Sequence, residues 1–178
     1  MRTRAEHLYE QLDSLEPVRQ AARRELLRES RKHAAVKLLR PIPAIGPIRS
    51  ALLVALLQTP HRFRSKRQLW AYSGFAVQTY DSGEYRFVRG KLQRNRERIT
   101  VRGLNRNHNH DLKNLRKGAA ISAIERPGPL RDFYAALVEK GIRPSLARLT
   151  RARKIAAITL IIWKKANFDP KQLQPQAA

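Results

Sequence analysis

Apolar residues recur along this chain in short helical stripes, interrupted once by a stretch that alternates. Leu8, Leu12 and Leu15 form a narrow stripe among charged residues, and Val18, Ala22, Leu26 and Leu27 continue it. Steps of three and four residues place such positions on one helical face, so residues 4–39 read as one or two helices. Glu16-Pro17 marks a kink or a restart, because proline removes a donor and crowds the preceding turn. A helix this polar bridges solvent or forms half of a coiled coil. Ile48, Leu52, Leu53, Leu56 and Leu57 make a second stripe. Ser65 caps a short helix over 66–73, with Leu69, Trp70 and Tyr72 facing inward and Gly74 at its end. Leu112, Leu115, Ala119, Ala120 and Ile124 predict a helix from about Leu104 to Ile124, stopped by Pro127-Gly128-Pro129. Phe133, Tyr134, Leu137 and Val138 predict another over 130–140, closed by Gly141, and Pro144 opens a last helix to about Lys165.

The alternating stretch lies between these helices. Val77, Thr79 and Tyr80, then Tyr85, Phe87 and Val88, are strand formers on either side of Asp81-Ser82-Gly83, a turn signal. Two short strands, or one strand and an extended loop, fit it. Residues 89–103 are basic and polar, with Gly90 and Gly103 as breakers. The fold class is therefore mainly α: a helix-hairpin-helix-containing helical domain with a small β-hairpin or extended insert and an N-terminal coiled-coil-like arm. Residues 1–34 form the arm, 35–170 the domain and 171–178 a frayed tail.

Residues 38–58, LLRPIPAIGPIRSALLVALLQ, carry the hairpin. Pro41 and Pro43 disfavour continuation of the first helix. Gly46 is free to take a positive φ, and Pro47 suits the first position of a new helix. The start of that helix has unsatisfied N–H groups and a partial positive charge, so Gly46, Ile48 and Arg49 can hold a phosphate. The alternative is a plain helical turn buried in a core.

Charge sharpens this reading. The 178 residues carry 37 Lys and Arg against 14 Asp and Glu, a formal net charge of +23 with a pI of about 11.5. Such an excess resists compaction and points to a polyanionic partner, nucleic acid before an anionic membrane surface. There is no cysteine, which excludes disulfides, thiolate metal sites and a cysteine nucleophile. The N-terminus has no signal-peptide core, and the longest apolar run, Ile155 to Trp163, is far short of a membrane span. These features predict a cytoplasmic, nucleoid-associated protein with no membrane partner.

Between Arg86 and Lys117 lie eleven Lys or Arg against two acids. Among them Arg86, Arg89, Lys91, Arg94, Arg102 and Arg106 are candidate phosphate ligands, and Asn105, Asn107 and Asn109 can bond a phosphate or a helix start. His108, His110 and Asp111 suggest a metal, but positions two apart do not share a helical face. No metal site is assigned, and Asp111 reads as an early-helix carboxylate favoured by the dipole. Ser82, in the turn, most simply bonds nearby backbone. An exposed serine surrounded by arginines can also attack a phosphodiester while they hold the developing charge. Trp70 and Trp163 read as core. Arg148, Arg151, Arg153 and Lys154 reach phosphate or line a solvent face.

IPAIGP with its following helix, RFRSKRQLWAYSGF, YDSGEYR, RGLNRNHNHDLKNLRKGAA and RPSLARLTRARKIAAITLIIWKK stand in that order over about residues 35–170. Together they resemble the insertion-sequence transposases with an N-terminal RuvC-like DEDD domain and a C-terminal serine-containing domain. Piv-type DNA invertases and bridge-RNA-guided recombinases belong to that family. The resemblance implies cutting and rejoining of DNA, with Ser82 as nucleophile. It implies a coiled coil between the domains, of which residues 1–34 look like the end, and Mg2+ held by the acidic quartet of the RuvC-like domain. Its partners would be DNA, a structured guide RNA, the RuvC-like domain or full-length transposase, and further copies of the chain. Ala44 stands where the family usually has glycine. No early strand with an aspartate is recognisable, so the resemblance implies a C-terminal part that binds nucleic acid without completing recombination alone. The alternative is a non-catalytic basic nucleic-acid-binding protein.

Overall fold

The computed structural model describes residues 2–81, 85–94 and 100–166. Its helices are α1 (Arg2–Ser30), α2 (Ala34–Leu39), α3 (Pro47–Leu57), α4 (Lys66–Tyr72), α5 (His110–Glu125), α6 (Pro129–Glu139) and α7 (Pro144–Lys165), with a 3-10 turn at Pro60–Arg62. The strands are β1 (Val77–Asp81), β2 (Tyr85–Val88), β3 (Lys91–Arg94) and β4 (Thr100–Leu104). The described residues are thus mainly helical. None of their helices is long and apolar enough to cross a membrane.

The core is organised on α7. Ile155, Ala156, Ile158 and Ile162 are buried along it, and α2, α4, α5 and α6 pack around it. Leu39, Leu53, Leu57, Leu69, Phe75, Leu112 and Ala119 complete the cluster. Trp70 and Trp163 pack against it half-buried, and the Trp70 indole donates to the Arg153 carbonyl over 3.0 Å. Several punctuation residues act as anticipated. The Ser65 hydroxyl accepts from the Gln68 N–H, Gly74 and Gly141 take φ values of 70° and 79°, and Pro144 is the first residue of α7.

Three expectations need correction. Pro17 lies inside α1, so of the kink and the restart it is the restart that fails. The helix is solvent-exposed there, so water can take the freed carbonyl. Glu16 accepts from Arg19 Nε and Nη2, both over 2.7 Å, and from Gln20, clamping the turn beyond the proline. These bonds, that of Arg19 foremost, lower the Glu16 carboxyl to about 2. Second, α5 starts at His110, six residues after Leu104. The Asn109 side chain accepts from the Leu112 N–H over 2.8 Å and caps the helix, while Leu104 is committed to a strand.

Third, the strands do not pair across Asp81-Ser82-Gly83. β1 pairs antiparallel with β4 from Val77↔Leu104 to Asp81↔Thr100, and β2 pairs with β3 from Tyr85↔Arg94 to Val88↔Lys91. The basic segment supplies both partners, Lys91–Arg94 and Thr100–Leu104. The turn of this strand ribbon is Arg89-Gly90, with φ values of 51° and 72°. Two positive φ values in a two-residue loop make a type I′ turn, whose twist matches paired strands.

Candidate nucleic-acid interface

The hairpin between α2 and α3 is anchored from beneath. Ile42 and Ile45 are buried in the core, and their N–H groups close two turns onto Leu39 and Ile42 over 3.1 and 2.9 Å. The plain-turn and ligand-site readings therefore describe different faces of one loop: isoleucines inward, polar groups outward. The left-handed residue is not Gly46, whose φ is −74°, but Ala44 at 66°. The bend comes two residues earlier than the glycine suggested. It falls on the position where the resembled family carries glycine.

Gly46 instead caps α3 in extended backbone, with no side chain satisfying the first N–H groups and no acid in the first turn. Ile48 is half-buried one residue after Pro47. Arg49 turns inward: Nη1 donates to the Ala44 carbonyl and Nη2 to the Ser122 hydroxyl of α5, each over 3.0 Å. Gly118 lies against it: a β-carbon there would sit 3.4 Å from Nη2, an ordinary contact distance. Arg49 thus ties the hairpin to α5 and keeps its charge at the start of α3.

The result is a recess of about 300 Å³ at the hairpin, lined by Arg40, Pro43, Ala44, Gly46, Arg49, Ser122 and Arg126 among others. Arg40 and Arg126 are exposed at its rim, and among the described residues no carboxylate lines it. Three arginines and the uncapped end of an eleven-residue helix line it together, an arrangement suited to a phosphate diester. Arg40, Ser122 and Arg126 are absent from the sequence-based candidates. Their signal was slight: each arginine lies just before a proline that ends its helix, and their meeting is tertiary.

The other candidates divide. Arg89 is exposed at the ribbon turn with Lys91 exposed beside it, and Arg106 is exposed at the base of the ribbon. The backbones of Arg86, Arg94 and Arg102 lie in β2, β3 and β4. Asn105 is held internally, its amide donating to the Ala71 and Asn107 carbonyls over 3.1 and 2.8 Å, while the Asn107 N–H returns to Asn105 Oδ1. These asparagines fasten the ribbon base to α4. Asn109 fulfils the helix-start role, and Asp111 lies in the first turn of α5 as expected. Arg116, counted in the basic segment, is 1% exposed and does not belong to its surface. Its Nη1 donates to the Ser73 hydroxyl over 3.0 Å, and burial lowers its guanidinium to about 9. Arg151 is likewise buried, under the Tyr134 ring, and lowered to about 10 mainly by burial. Arg153 donates to the Phe75 carbonyl. Of Arg148, Arg151, Arg153 and Lys154 on α7, Arg148 is the exposed one.

Ser82 lies outside the described residues, between Asp81 of β1 and Tyr85 of β2. The His108 and His110 ring centroids lie 4.4 Å apart with the planes tilted by 39°, and His108 Nδ1 bonds the Asn105 carbonyl. Among the described residues no group of three or more His, Asp or Glu could hold a metal ion.

Two likenesses to known proteins bear on this surface. Residues 36–102, from α2 through most of β4, match the model of the Transposase IS116/IS110/IS902 family. The chain is also 25% identical over 156 residues to an insertion element IS116 uncharacterized 44.8 kDa protein of Streptomyces clavuligerus, a match covering 87% of this chain and 36% of that relative. The matched part is little more than a third of the relative's length. Both findings support an insertion-sequence transposase family.

Proposed function

We propose that this chain is a DNA-contacting part of an insertion-sequence transposase, gripping phosphates at the start of α3. The observation that carries this is the recess lined by Arg40, Arg49 and Arg126 at an uncapped helix end, with no carboxylate of the described residues in its lining. In this reading the α2–α3 pair is a helix-hairpin-helix, and Arg89, Lys91 and Arg106 extend the grip along the backbone. The exposed stripe of Leu8, Leu12 and Leu15 on α1 is half of a coiled coil, with a second copy or a longer form of the transposase as partner.

A catalytic role for Ser82 belongs to the same proposal, because a serine among arginines is chemically suited to attack a phosphodiester. Its hydroxyl would attack a phosphodiester, form a phosphoseryl ester and pass its proton to the departing strand oxygen. The flanking arginines would hold the charge that develops on phosphorus oxygens. A RuvC-like domain carrying Mg2+, and a guide RNA, belong to the same proposal as partners outside this chain. The described residues offer no metal ligand set, so no step is assigned to a metal here.

The test is duplex binding against salt. Wild-type affinity should fall linearly with salt on logarithmic axes. Arg40→Ala with Arg126→Ala should lower the slope by about 2, one unit for each phosphate no longer neutralised. An unchanged slope would remove the hairpin from the interface.

A further inference from the structure

The outer hairpin of the ribbon has one face that nothing in the body accounts for. Phe87 stands opposite Leu92 in the β2–β3 register, and Tyr85 precedes Phe87 by two positions. Alternation along a strand puts these three side chains on the same face. They are 75%, 58% and 59% exposed, the largest outward display of apolar surface beyond α1 among the described residues. A lone two-stranded hairpin is marginal in water, and three large apolar groups left wet at its tip make it more so. The same ten residues, 85–94, carry four Lys or Arg and no acid.

The surface that covers this face must therefore be anionic outside and apolar within. We infer that Phe87 and Leu92 form a wedge that enters the base stack of duplex DNA, with the ribbon lying in a groove and its cations on the bordering phosphates. The inference rests on the reading of the chain as DNA-binding, and adds how the duplex is deformed. Duplex DNA offers phosphates along the groove walls and base faces between them. Apolar side chains inserted at a base step unstack it and bend the helix axis. An anionic membrane has the same order of layers, but the outermost residues of the hairpin are Arg89 and Gly90. A bilayer would have to bury that arginine before Phe87 reached hydrocarbon, whereas a narrow groove attracts it.

The experiment uses the full chain and short duplexes with 2-aminopurine beside a TA step, the kind most easily unstacked. Wild-type protein should raise the probe's fluorescence on binding. Phe87→Ala with Leu92→Ala should abolish that rise and weaken binding about ten-fold, leaving the salt slope unchanged. Phe87→Trp should keep the rise. Both positions are exposed, so circular dichroism should be unaltered. A wild-type complex with no fluorescence change, or a double variant that keeps the change, overturns the wedge while leaving DNA binding in place. Failure of wild-type protein to bind any duplex overturns the underlying reading, and the wedge with it. Binding of the Phe87→Trp variant to phosphatidylserine vesicles with a blue-shifted emission, and no effect on the duplex probe, assigns the face to lipid and also overturns it.

Discussion

The helical body and the β-ribbon handle their side chains in opposite ways. In the body, four arginines turn inward: Arg49 bridges α3 to α5, Arg153 holds the Phe75 carbonyl, and Arg116 and Arg151 are buried. In the outer ribbon, apolar residues turn outward, with Tyr85, Phe87 and Leu92 all exposed. The body has enough aliphatic surface around α7 to absorb guanidinium stems and still close a core. The outer ribbon has two strands, and among the described residues no helix packs extensively against them. Its apolar groups therefore add little to folding, and their value lies in a partner's contact. One region is finished by its own sequence and the other is finished by what binds it.

Matched truncations break this comparison most directly. Leu53 is fully buried on α3 beside Leu39 and Leu57, so Leu53→Ala should cost about 2–5 kcal/mol through reduced burial and an unfilled cavity. Phe87→Ala removes a larger side chain that is mostly in water already. It should change the unfolding free energy by no more than about 0.5 kcal/mol. Urea unfolding of the two variants reads both numbers. A cost at Phe87 rivalling that at Leu53 would mean that the ribbon face is packed in solution and the contrast is false.

The next largest effect concerns a charge inside the body. Arg116 bonds the Ser73 hydroxyl, which donates onward to the Leu69 carbonyl, and its Nη2 is buried without a partner. Burial alone lowers the group from its ordinary value to about 9. Above that pH the native guanidinium loses its proton while the unfolded chain keeps its own. The unfolded state then binds more protons, and the penalty is relieved as pH rises. Below about 9 both states are charged and the full penalty is present. Arg116→Met should therefore raise stability by about 1–4 kcal/mol at neutral pH, with an advantage that narrows above about pH 9. Thermal melts of both proteins from neutral to alkaline pH check the sign. A loss of stability in the variant would show that the Ser73 bond outweighs the buried charge.

Local signals were legible in the sequence wherever one residue governs its own turn. Ser65, Gly74, Gly141 and Pro144 mark element ends because a cap, a left-handed φ or a missing donor acts within a few residues. Strand pairing was not legible. Val77 meets Leu104 across an intervening hairpin, and nothing near either residue encodes that partner. Asp81-Ser82-Gly83 carries a stronger turn signature than Arg89-Gly90, yet the latter makes the type I′ turn. The recess escaped for a similar reason, since Arg40 and Arg126 come to line one recess only once α5 packs on the hairpin side. The burial of Arg116 was within reach of the pattern. It lies four residues after Leu112 and three before Ala119, on the apolar face of α5, and its charge masks that position.

The smallest effect separates the two regions by how they unfold. Ala44 and Arg89 are both non-glycine residues with left-handed backbone, at φ values of 66° and 51°. Each costs about 1 kcal/mol relative to glycine, which has no β-carbon to crowd the carbonyl. The strain is the same but the surroundings differ. Ala44 sits between two buried isoleucines, Ile42 and Ile45, so its conformation is released only when the core opens. Ala44→Gly should raise the global stability, by up to about 1 kcal/mol less the extra freedom glycine gives the unfolded chain. Arg89 sits on a hairpin that can open without the core. Arg89→Gly should leave the global midpoint alone and slow amide hydrogen exchange in β2 and β3 only. If both variants moved the global midpoint equally, the ribbon would be a cooperative part of the body, and the outward display of Phe87 would have to be explained from within the fold.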